Sequence, residues 1–212
     1  MQVIVSNQIL HAAGKENSRY AINGFCVHAS GVLSATDGRM LAIRRQVQDG
    51  SGADRYPSRD PLKKTIVPRE IMPNATKKPK TVKIEVDGTE CAATPVVEAK
   101  NQITDSGVKT SGQAVEGTFP PVVDIFPGPD TRDKYEMVSF NPAMLAKLAQ
   151  AVEDPENGMI TLCVRKDSPN NPMMVIGHGE QGGVGMLMPV NGDADTYTER
   201  FENAVKLGRM AE

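Results

Sequence analysis

Three short runs of strand-forming residues, separated by turn signals, constrain the fold of this chain more than any other feature. They occupy residues 20–28, 32–36 and 40–44, and residues 29–31 and the pair Asp37 and Gly38 lie between them. An Asp-Gly pair favours a tight hairpin because glycine tolerates the positive φ that such a turn requires. The sequence therefore predicts an antiparallel meander of three strands.

The same order of elements is predicted twice more. After a loop-like stretch at 47–62, a strand at 65–67 precedes a short helical turn opened by Pro68, and strands follow at 80–86, from residue 89, and within 94–115. A helix at 141–152, with Asn141 as N-cap and Pro142 in its first turn, precedes strands at 159–164, 173–176 and 184–190. Strand, helix and meander thus recur at roughly 60-residue spacing, which indicates an internal repeat.

The composition is that of a folded chain that is not uniformly basic. Its 212 residues carry a formal net charge of −2, and 39% of them are hydrophobic. These values exclude a uniformly basic nucleic-acid binder, but they are compatible with a basic stripe on an acidic surface. Cys26, Cys91 and Cys163 are far apart, odd in number and outside any CxxC spacing, so neither a disulfide framework nor a zinc site is indicated, and each is predicted to be a small buried residue.

Neither a secretory leader nor a membrane partner is predicted. Residues 1–6 lack a charged region followed by an apolar run, and no stretch of about eighteen apolar residues occurs in the chain. The expected compartment is therefore the cytoplasm.

No catalytic residue, metal site or cofactor is predicted. His11, His28 and His178 lie in separate predicted units without metal-binding spacing. The acidic cluster at 153–156 ends a helix, where solvation explains it, and the glycines at 182–185 precede a strand instead of opening a helix. We expect a protein that is not an enzyme. A hydrolase that uses Asp or Glu side chains is a third and weaker class, because no substrate is indicated.

Several segments carry a pattern that resembles one family. In chain order they are RYAINGF at 19–25, LSATDGRMLAI at 33–43, TIVPR at 65–69, VEGTFP at 115–120 with IFP at 125–127, and FN at 140–141 with GMLMPV at 185–190. Together they resemble the bacterial DNA sliding clamp, the beta subunit of DNA polymerase III, over about residues 1–46, 64–127 and 138–190. The family's chain has three domains, whereas this chain has room for at most two short ones.

The resemblance implies an α+β fold made of repeated units of antiparallel sheet with short helices on one face. Residues 1–127 would form a clamp-like domain of two half-units joined by a loop at 47–63. Residues 128–192 would form a further half-unit or a short second domain. Residues 193–212 lie outside the resemblance; the spacing of their apolar residues is compatible with a terminal amphipathic helix and equally with a frayed tail.

In sliding clamps, helices line a central hole and carry basic side chains that face DNA phosphates. The resemblance assigns this role here to lysines near predicted helices: Lys15, Lys77, Lys78, Lys80 and Lys147. Such contacts are independent of DNA sequence and weaken with salt. The alternative for each is an ordinary solvated surface lysine.

Clamps also bind peptide tails of partner proteins in an apolar pocket. By motif match, the pocket residues here are Thr36, Gly38, Arg39, Met40, Leu41, Pro120, Ile125, Met186, Leu187, Met188 and Pro189. The alternative for this set is a turn together with strands that face the core. Arg39 and Met40 depart from the family's usual His-Arg, and Asp124 stands where the family often has a basic residue.

Two functions therefore stay open at the level of sequence. The first is a processivity factor, in which three or four copies close into a homo-oligomeric ring around double-stranded DNA and tether a DNA polymerase or another replication protein. The second is a clamp-derived module that binds partner peptides without encircling DNA.

Overall fold

The structure is a computed structural model, and it describes most of the chain. The described residues are 1–15, 21–47, 63–75, 81–99, 102–126, 131, 135, 137–156, 158–164, 171–190 and 194–211. Most of the predicted loop at 47–63 lies outside them. The chain divides into two compact units, which are described separately: unit 1 contains residues 1–127 and 204–212, and unit 2 contains residues 128–203.

Unit 1 runs twice through the same order of elements. The first run is β1 (Gln2–Ser6), the 3-10 helix η1 (Asn7–His11), β2 (Gly24–Val27), β3 (Leu33–Thr36) and β4 (Leu41–Arg44). The second run is β5 (Thr65–Pro68), the 3-10 helix η2 (Arg69–Ile71), β6 (Thr81–Asp87), β7 (Glu90–Ala99), β8 (Gln102–Asp105) and β9 (Thr110–Gln113). The 3-10 helix η3 (Val123–Ile125) follows. The predicted meander and the predicted second pass are both confirmed.

The two runs of unit 1 exchange their first strands. One sheet has the order β4-β3-β2-β5, so the first strand of the second run pairs with the meander of the first. The other sheet begins β1-β6-β7, so the first strand of the first run pairs with the meander of the second. Both exchanged pairs are antiparallel. Each run therefore completes the sheet of the other, and neither can form its full sheet alone.

The third strand of the second meander is divided into two pieces, β8 and β9, opposite a proline in β7. Residues 90–93 of β7 pair with β9, and residues 96–99 pair with β8. Pro95 lies between the two stretches and has no N–H to donate to a ladder. Strands β8 and β9 therefore share one edge of β7 with a break between them.

The main core of unit 1 is built from the inward sides of both sheets. Phe25, Val27 and Leu33 from one sheet and Val82 and Ile84 from the other are fully buried in one apolar cluster. The alternating burial of β6 follows from the two-residue period of a strand with one face toward the core.

A second cluster covers the outer side of the β4-β3-β2-β5 sheet. Cys26, Val32 and Ile66 point to this side, and Phe119 and Val122 pack on them. Half-buried residues that join this cluster are Ala21, Leu41, Ile43, Val115, Leu207 and Met210. We call this surface the outer face of unit 1.

Unit 2 contains one run of the same pattern. Its elements are α1 (Pro142–Val152), β10 (Ile160–Cys163), β11 (Met173–Gly177) and β12 (Val184–Leu187), followed by α2 (Ala194–Arg209), whose last residues belong to unit 1. The predicted helix and its N-cap are confirmed, because the Asn141 side chain accepts the N–H of Ala143 at 2.9 Å. The predicted strand at 184–190 is too long, since β12 ends at Leu187.

One hydrogen bond recurs in all three runs and defines the repeat. In each run, the N–H of a valine just beyond the meander donates to a carbonyl in the first strand of that run. The pairs are Val47 to Ile4 at 2.8 Å, Val115 to Ile66 at 2.9 Å, and Val190 to Ser139 at 2.7 Å. Two residues after each acceptor lies the N-cap of the next helix: Ser6, Pro68 and Asn141. The predicted internal repeat is therefore confirmed, and each run is one half-unit.

Across the described residues, no helix combines the length and the apolar character needed to cross a lipid bilayer.

Candidate functional site

The hairpin that carries five of the predicted pocket residues is closed by its own side chains. The Thr36 hydroxyl donates to the Met40 carbonyl at 2.6 Å and accepts the Gly38 N–H at 3.0 Å. The Asp37 carboxylate accepts the N–H groups of Arg39 and Met40, each at 2.9 Å. These bonds, first that of Met40 and then that of Arg39, hold the pKa of Asp37 below its usual value. Thr36 and Gly38 thus act in the turn, as the structural alternative predicts.

Other residues of the predicted pocket do offer apolar surface on unit 1. Met40 is 53% exposed at the tip of the hairpin, and Ile125 is 69% exposed in η3. Leu41 and Pro120 are half-buried, and Leu41 belongs to the outer face. Exposed apolar side chains of this kind are available to contact the apolar anchors of a partner.

The end of α2 lies on the same outer face, which sequence reasoning missed. Leu207 and Met210 pack against the outer-face cluster, and the Met210 carbonyl accepts the Ser30 hydroxyl at 2.6 Å. Gly208 lies against the ring of Phe126, where no side chain would fit. The sequence left open a terminal helix or a frayed tail here, and no local signal indicates which sheet a helix would meet.

The four predicted pocket residues of unit 2 do not share one environment. Leu187 is buried in the core of unit 2 with Met173 and Val175. Met186 and Met188 are more than half exposed, and Pro189 is half-buried. Leu187 therefore serves the fold, and only Met186, Met188 and Pro189 offer surface. The proposed pocket set is divided between the two units and stays a prediction as a single site.

The predicted DNA-facing lysines lie on or next to helices where the structure describes them. Lys15 follows η1 and lines a groove together with His11 and Arg69. Ala75 also lines this groove. Lys147 is exposed on α1. Lys77, Lys78 and Lys80 lie outside the described residues.

Polar contacts hold the 3-10 helices η1 and η2 of unit 1 side by side. The Arg69 guanidinium donates to the carbonyls of Leu10 and Ala13, each at 3.0 Å. The Asn7 amide donates to the Asn74 carbonyl at 3.2 Å. Arg69 therefore contributes to the contact between half-units, and Lys15 is an exposed cation of the same groove.

His28, His178 and Asp154 make contacts that stabilise the fold. The buried His28 ring is hydrogen-bonded to Ser34, and His178 to the Thr161 hydroxyl at 2.6 Å. The buried Asp154 carboxylate accepts the N–H groups of Glu156 and Gln181, at 2.8 and 3.0 Å, and so fixes the turn after α1. Within the described part of the chain, no three His, Cys, Asp or Glu side chains are placed to bind a metal ion.

The cysteines agree with the sequence prediction in two cases of three. Cys26 and Cys91 are buried, and burial raises the pKa of Cys26 to about 12 and also raises that of Cys91. Cys163 is only half-buried, because it lies on β10 at an edge of the unit 2 sheet. The expectation that all three are buried is therefore wrong for Cys163.

Half-units of antiparallel sheet that exchange their first strands and carry short helices form the fold of the DNA sliding clamps. Solved structures of sliding clamps match this chain. The predicted α+β fold class is confirmed, and the resemblance to the clamp family is confirmed at the level of the fold.

Three solved structures show the extent of the likeness. A DNA polymerase sliding clamp from Bacillus subtilis matches with a TM-score of 0.55 at 14% identity, over 98% of this chain and 55% of that chain. The beta subunit from the DNA polymerase of Streptococcus pyogenes matches with a TM-score of 0.56, and that of DNA polymerase III from Thermotoga maritima with 0.54. Both are 14% identical over 98% of this chain and 56% of theirs. The chain spans about half the length of these clamps.

No protein-family model matches the chain, and no curated protein matches it significantly.

Proposed function

We propose that this protein is a sliding-clamp-like processivity factor that encircles double-stranded DNA as a homo-oligomeric ring and acts in the cytoplasm without catalysing a reaction. The observation that carries the proposal is the exchange of first strands between half-units, in a fold similar to that of sliding clamps over 98% of this chain. Closed cyclic assembly is the usual way in which identical chains form a ring.

Weak and uniform attraction to phosphate suits a protein that must slide. Lys15 in the groove of unit 1 and Lys147 on α1 of unit 2 are exposed cations. The net charge of −2 limits the attraction of the whole chain for DNA, so a few exposed cations can act without immobilising the protein. Lys77, Lys78 and Lys80, which lie outside the described residues, are proposed as further DNA-facing cations.

The tether to a DNA polymerase or another replication protein would use the outer face of unit 1. Met40 and Ile125 supply exposed apolar side chains, and Leu41 supplies part of the floor. Met186, Met188 and Pro189 of unit 2 are proposed as further residues that contact a partner. Methionine-rich walls adapt to different anchor residues, which suits a protein with more than one partner.

The direct test of this function is topological retention on DNA. The chain is assembled in the presence of nicked circular duplex DNA, and the mixture is passed through a gel-filtration column at about 0.2 M salt to remove bound protein that is not linked. We expect the protein to elute with circles and to dissociate when a single cut makes the DNA linear. Linear DNA with both ends blocked by a bulky protein is the matched control and should retain it.

A second function is favoured by one specific observation, the coverage of only about half of each solved clamp chain. In this alternative the protein binds partner peptides through the outer face and does not encircle DNA. Equal dissociation from circular and linear DNA, together with intact peptide binding, would establish the alternative and contradict the ring.

A further inference from the structure

We propose that unit 2 is half of a clamp-like domain and that the unit 2 of a second copy of this chain supplies the other half. Strand β10 of each copy pairs with the first segment of the other copy's unit 2, residues 137–140. The inference concerns how chains associate, and it needs neither DNA nor a partner peptide.

Unit 1 shows what completes a half-unit. There, the first meander strand of each half-unit, β2 or β6, is paired on its outer edge with the first strand of the other half-unit, β5 or β1. The strand of unit 2 at this position is β10, the first of the meander β10-β11-β12. In the described part of unit 2, β10 is paired with β11 alone, so its other edge has no strand beside it.

The core of unit 2 is open at this same edge. Leu162 of β10 lies opposite Val175 of β11, so both side chains point to the face that α1 covers. Val175 is completely buried, whereas Leu162 is 42% exposed. Val164, two residues further along, is also exposed. Leu162 lies on the core face of the sheet and is nevertheless exposed. Within the described residues, the core of unit 2 therefore has no covering layer at the β10 edge.

The composition of β10 is unusual for an edge that faces water. Solvent-exposed edge strands are commonly protected by charges or proline, which discourage pairing with another chain. Strand β10 reads Ile-Thr-Leu-Cys and has neither. By contrast, the edge strand β4 ends at Arg44, and β8 ends at Asp105, which forms an ion pair with Lys83. The β10 edge is therefore suited to pair with another strand.

Helix α1 is also incompletely covered. In unit 1 the helices of the two half-units contact each other through Arg69 and Asn7. In unit 2, α1 buries one side against the sheet, and Met144, Ala143 and Ala146 are exposed. Small and apolar exposed side chains permit a second helix to approach closely.

A second copy fits these requirements because the exchange in unit 1 is reciprocal. Two half-units there give and receive one strand each, which is the relation that a twofold axis imposes on two identical chains. Among the described residues, the core cluster of unit 2 contains four buried side chains, against nineteen in the main cluster of unit 1. Pairing of two identical half-units would enlarge that core without any new type of contact.

This pairing also fixes the parity of an assembly. Each chain contributes one unit 2, so every copy must be matched by another, and the number of copies is even. Of the three or four copies that the ring would allow, only four satisfies this condition. A trimer would contradict the pairing, even if it were retained on circular DNA.

The first experiment measures mass in solution without DNA, by sedimentation velocity over a range of concentrations. We expect the native chain to dimerise or form tetramers, and Leu162→Lys to weaken association by at least about tenfold because a charge is placed in the new core. Val184→Lys is the matched control, since Val184 is exposed on the opposite face of the same sheet. A native chain that stays monomeric, or equal effects of the two substitutions, would overturn the proposal.

A second measurement does not depend on the folding of the Leu162→Lys variant. In a Cys163→Ser background, chains with Ser139→Cys are mixed with chains with Thr161→Cys and oxidised. Ser139 corresponds to Ile4 and Ile66, which pair with Lys83 and Cys26. Thr161 is the matching position of β10, because it lies between the core-facing Ile160 and Leu162 and points to the opposite face. We expect a disulfide-linked dimer from the mixture and not from either chain alone. An association that never gives this cross-link would assign the dimer to another surface and overturn the proposal.

The failure of this inference is distinguishable from failure of the proposed function. Absence of the cross-link with retention on circles would leave the ring and remove the pairing of unit 2. A cross-linked dimer that is not retained on circles would leave the pairing and remove the ring.

Discussion

At the residue scale, the hairpin between β3 and β4 shows how a few polar groups set a local structure. Gly38 has a φ of +88°, which the flanking strands require for a tight turn. The Asp37 carboxylate accepts two backbone N–H groups, and the Thr36 hydroxyl accepts a third. The turn brings Leu41 onto the outer face, beside the exposed Met40.

The φ of Gly38 leads to a stability prediction. An added Cβ at this position meets no atom within 4 Å, so the cost of substitution comes from the backbone alone. Gly38→Ala should lower the free energy of unfolding by about 1 kcal/mol, and Gly38→Asn should lower it less, because Asn tolerates left-handed φ better than Ala. Urea unfolding of both variants measures the difference. Equal destabilisation by the two variants, or none for Ala, would contradict the turn.

The cysteines should differ widely in their reactivity. The pKa of Cys26 is raised to about 12 by burial, so at pH 8 only about one thiol in ten thousand is the reactive thiolate. Cys163 is half-buried at the sheet edge and should react with iodoacetamide first. Mass spectrometry of labelled peptides gives the order, and labelling in urea, where all three cysteines should react alike, is the control. Fast labelling of native Cys26 would contradict its burial.

At the element scale, local patterns predicted most strands and the helix α1, and they failed at pairings distant in sequence. Asn141 and Pro142 mark the start of α1 because capping is a local interaction. The exchange of β1 and β5 could not be predicted from the residues alone, since each strand pairs with a meander far along the chain. The same reason explains why the position of the α2 end on the outer face was missed.

The peptide site predicts a selective weakening of binding. Ile125→Glu should weaken the binding of a fluorescein-labelled peptide with Leu and Phe anchors by at least about tenfold, because a charge would replace an apolar surface that the peptide covers. Val108→Glu is the control, since Val108 is even more exposed and is not among the proposed site residues. Fluorescence anisotropy measures both affinities. Equal weakening by the two substitutions would remove the outer face as the binding site.

At the scale of the whole molecule, the described residues form three half-units, two completed by each other and one in which β10 has a strand on one side only. The sequence motifs predicted the clamp-like fold but could not separate surface from core within the proposed site. Leu187 and Thr36 match the motif and serve the core or the turn, because strand residues alternate between two faces. Burial depends on which layer covers each face, and that is decided by the assembled sheets.

The DNA-facing surface predicts a change in salt dependence. Lys15→Ala with Lys147→Ala should reduce the slope of log affinity against log salt by roughly 0.9 for each phosphate that these lysines neutralise. Lys109→Ala is the control, because Lys109 forms an ion pair with Glu85 on the sheet surface. Titration of duplex DNA at several salt concentrations gives the slopes. An unchanged slope would identify both residues as ordinary surface lysines.

The claim that the chain forms a ring is tested most directly by an image of the assembled protein. Electron microscopy of the 212-residue chain, purified without DNA at a concentration where it associates, should show closed particles of four copies with a central hole. Monomers, or open particles without a hole, would contradict the account and leave a clamp-like module that binds partner proteins.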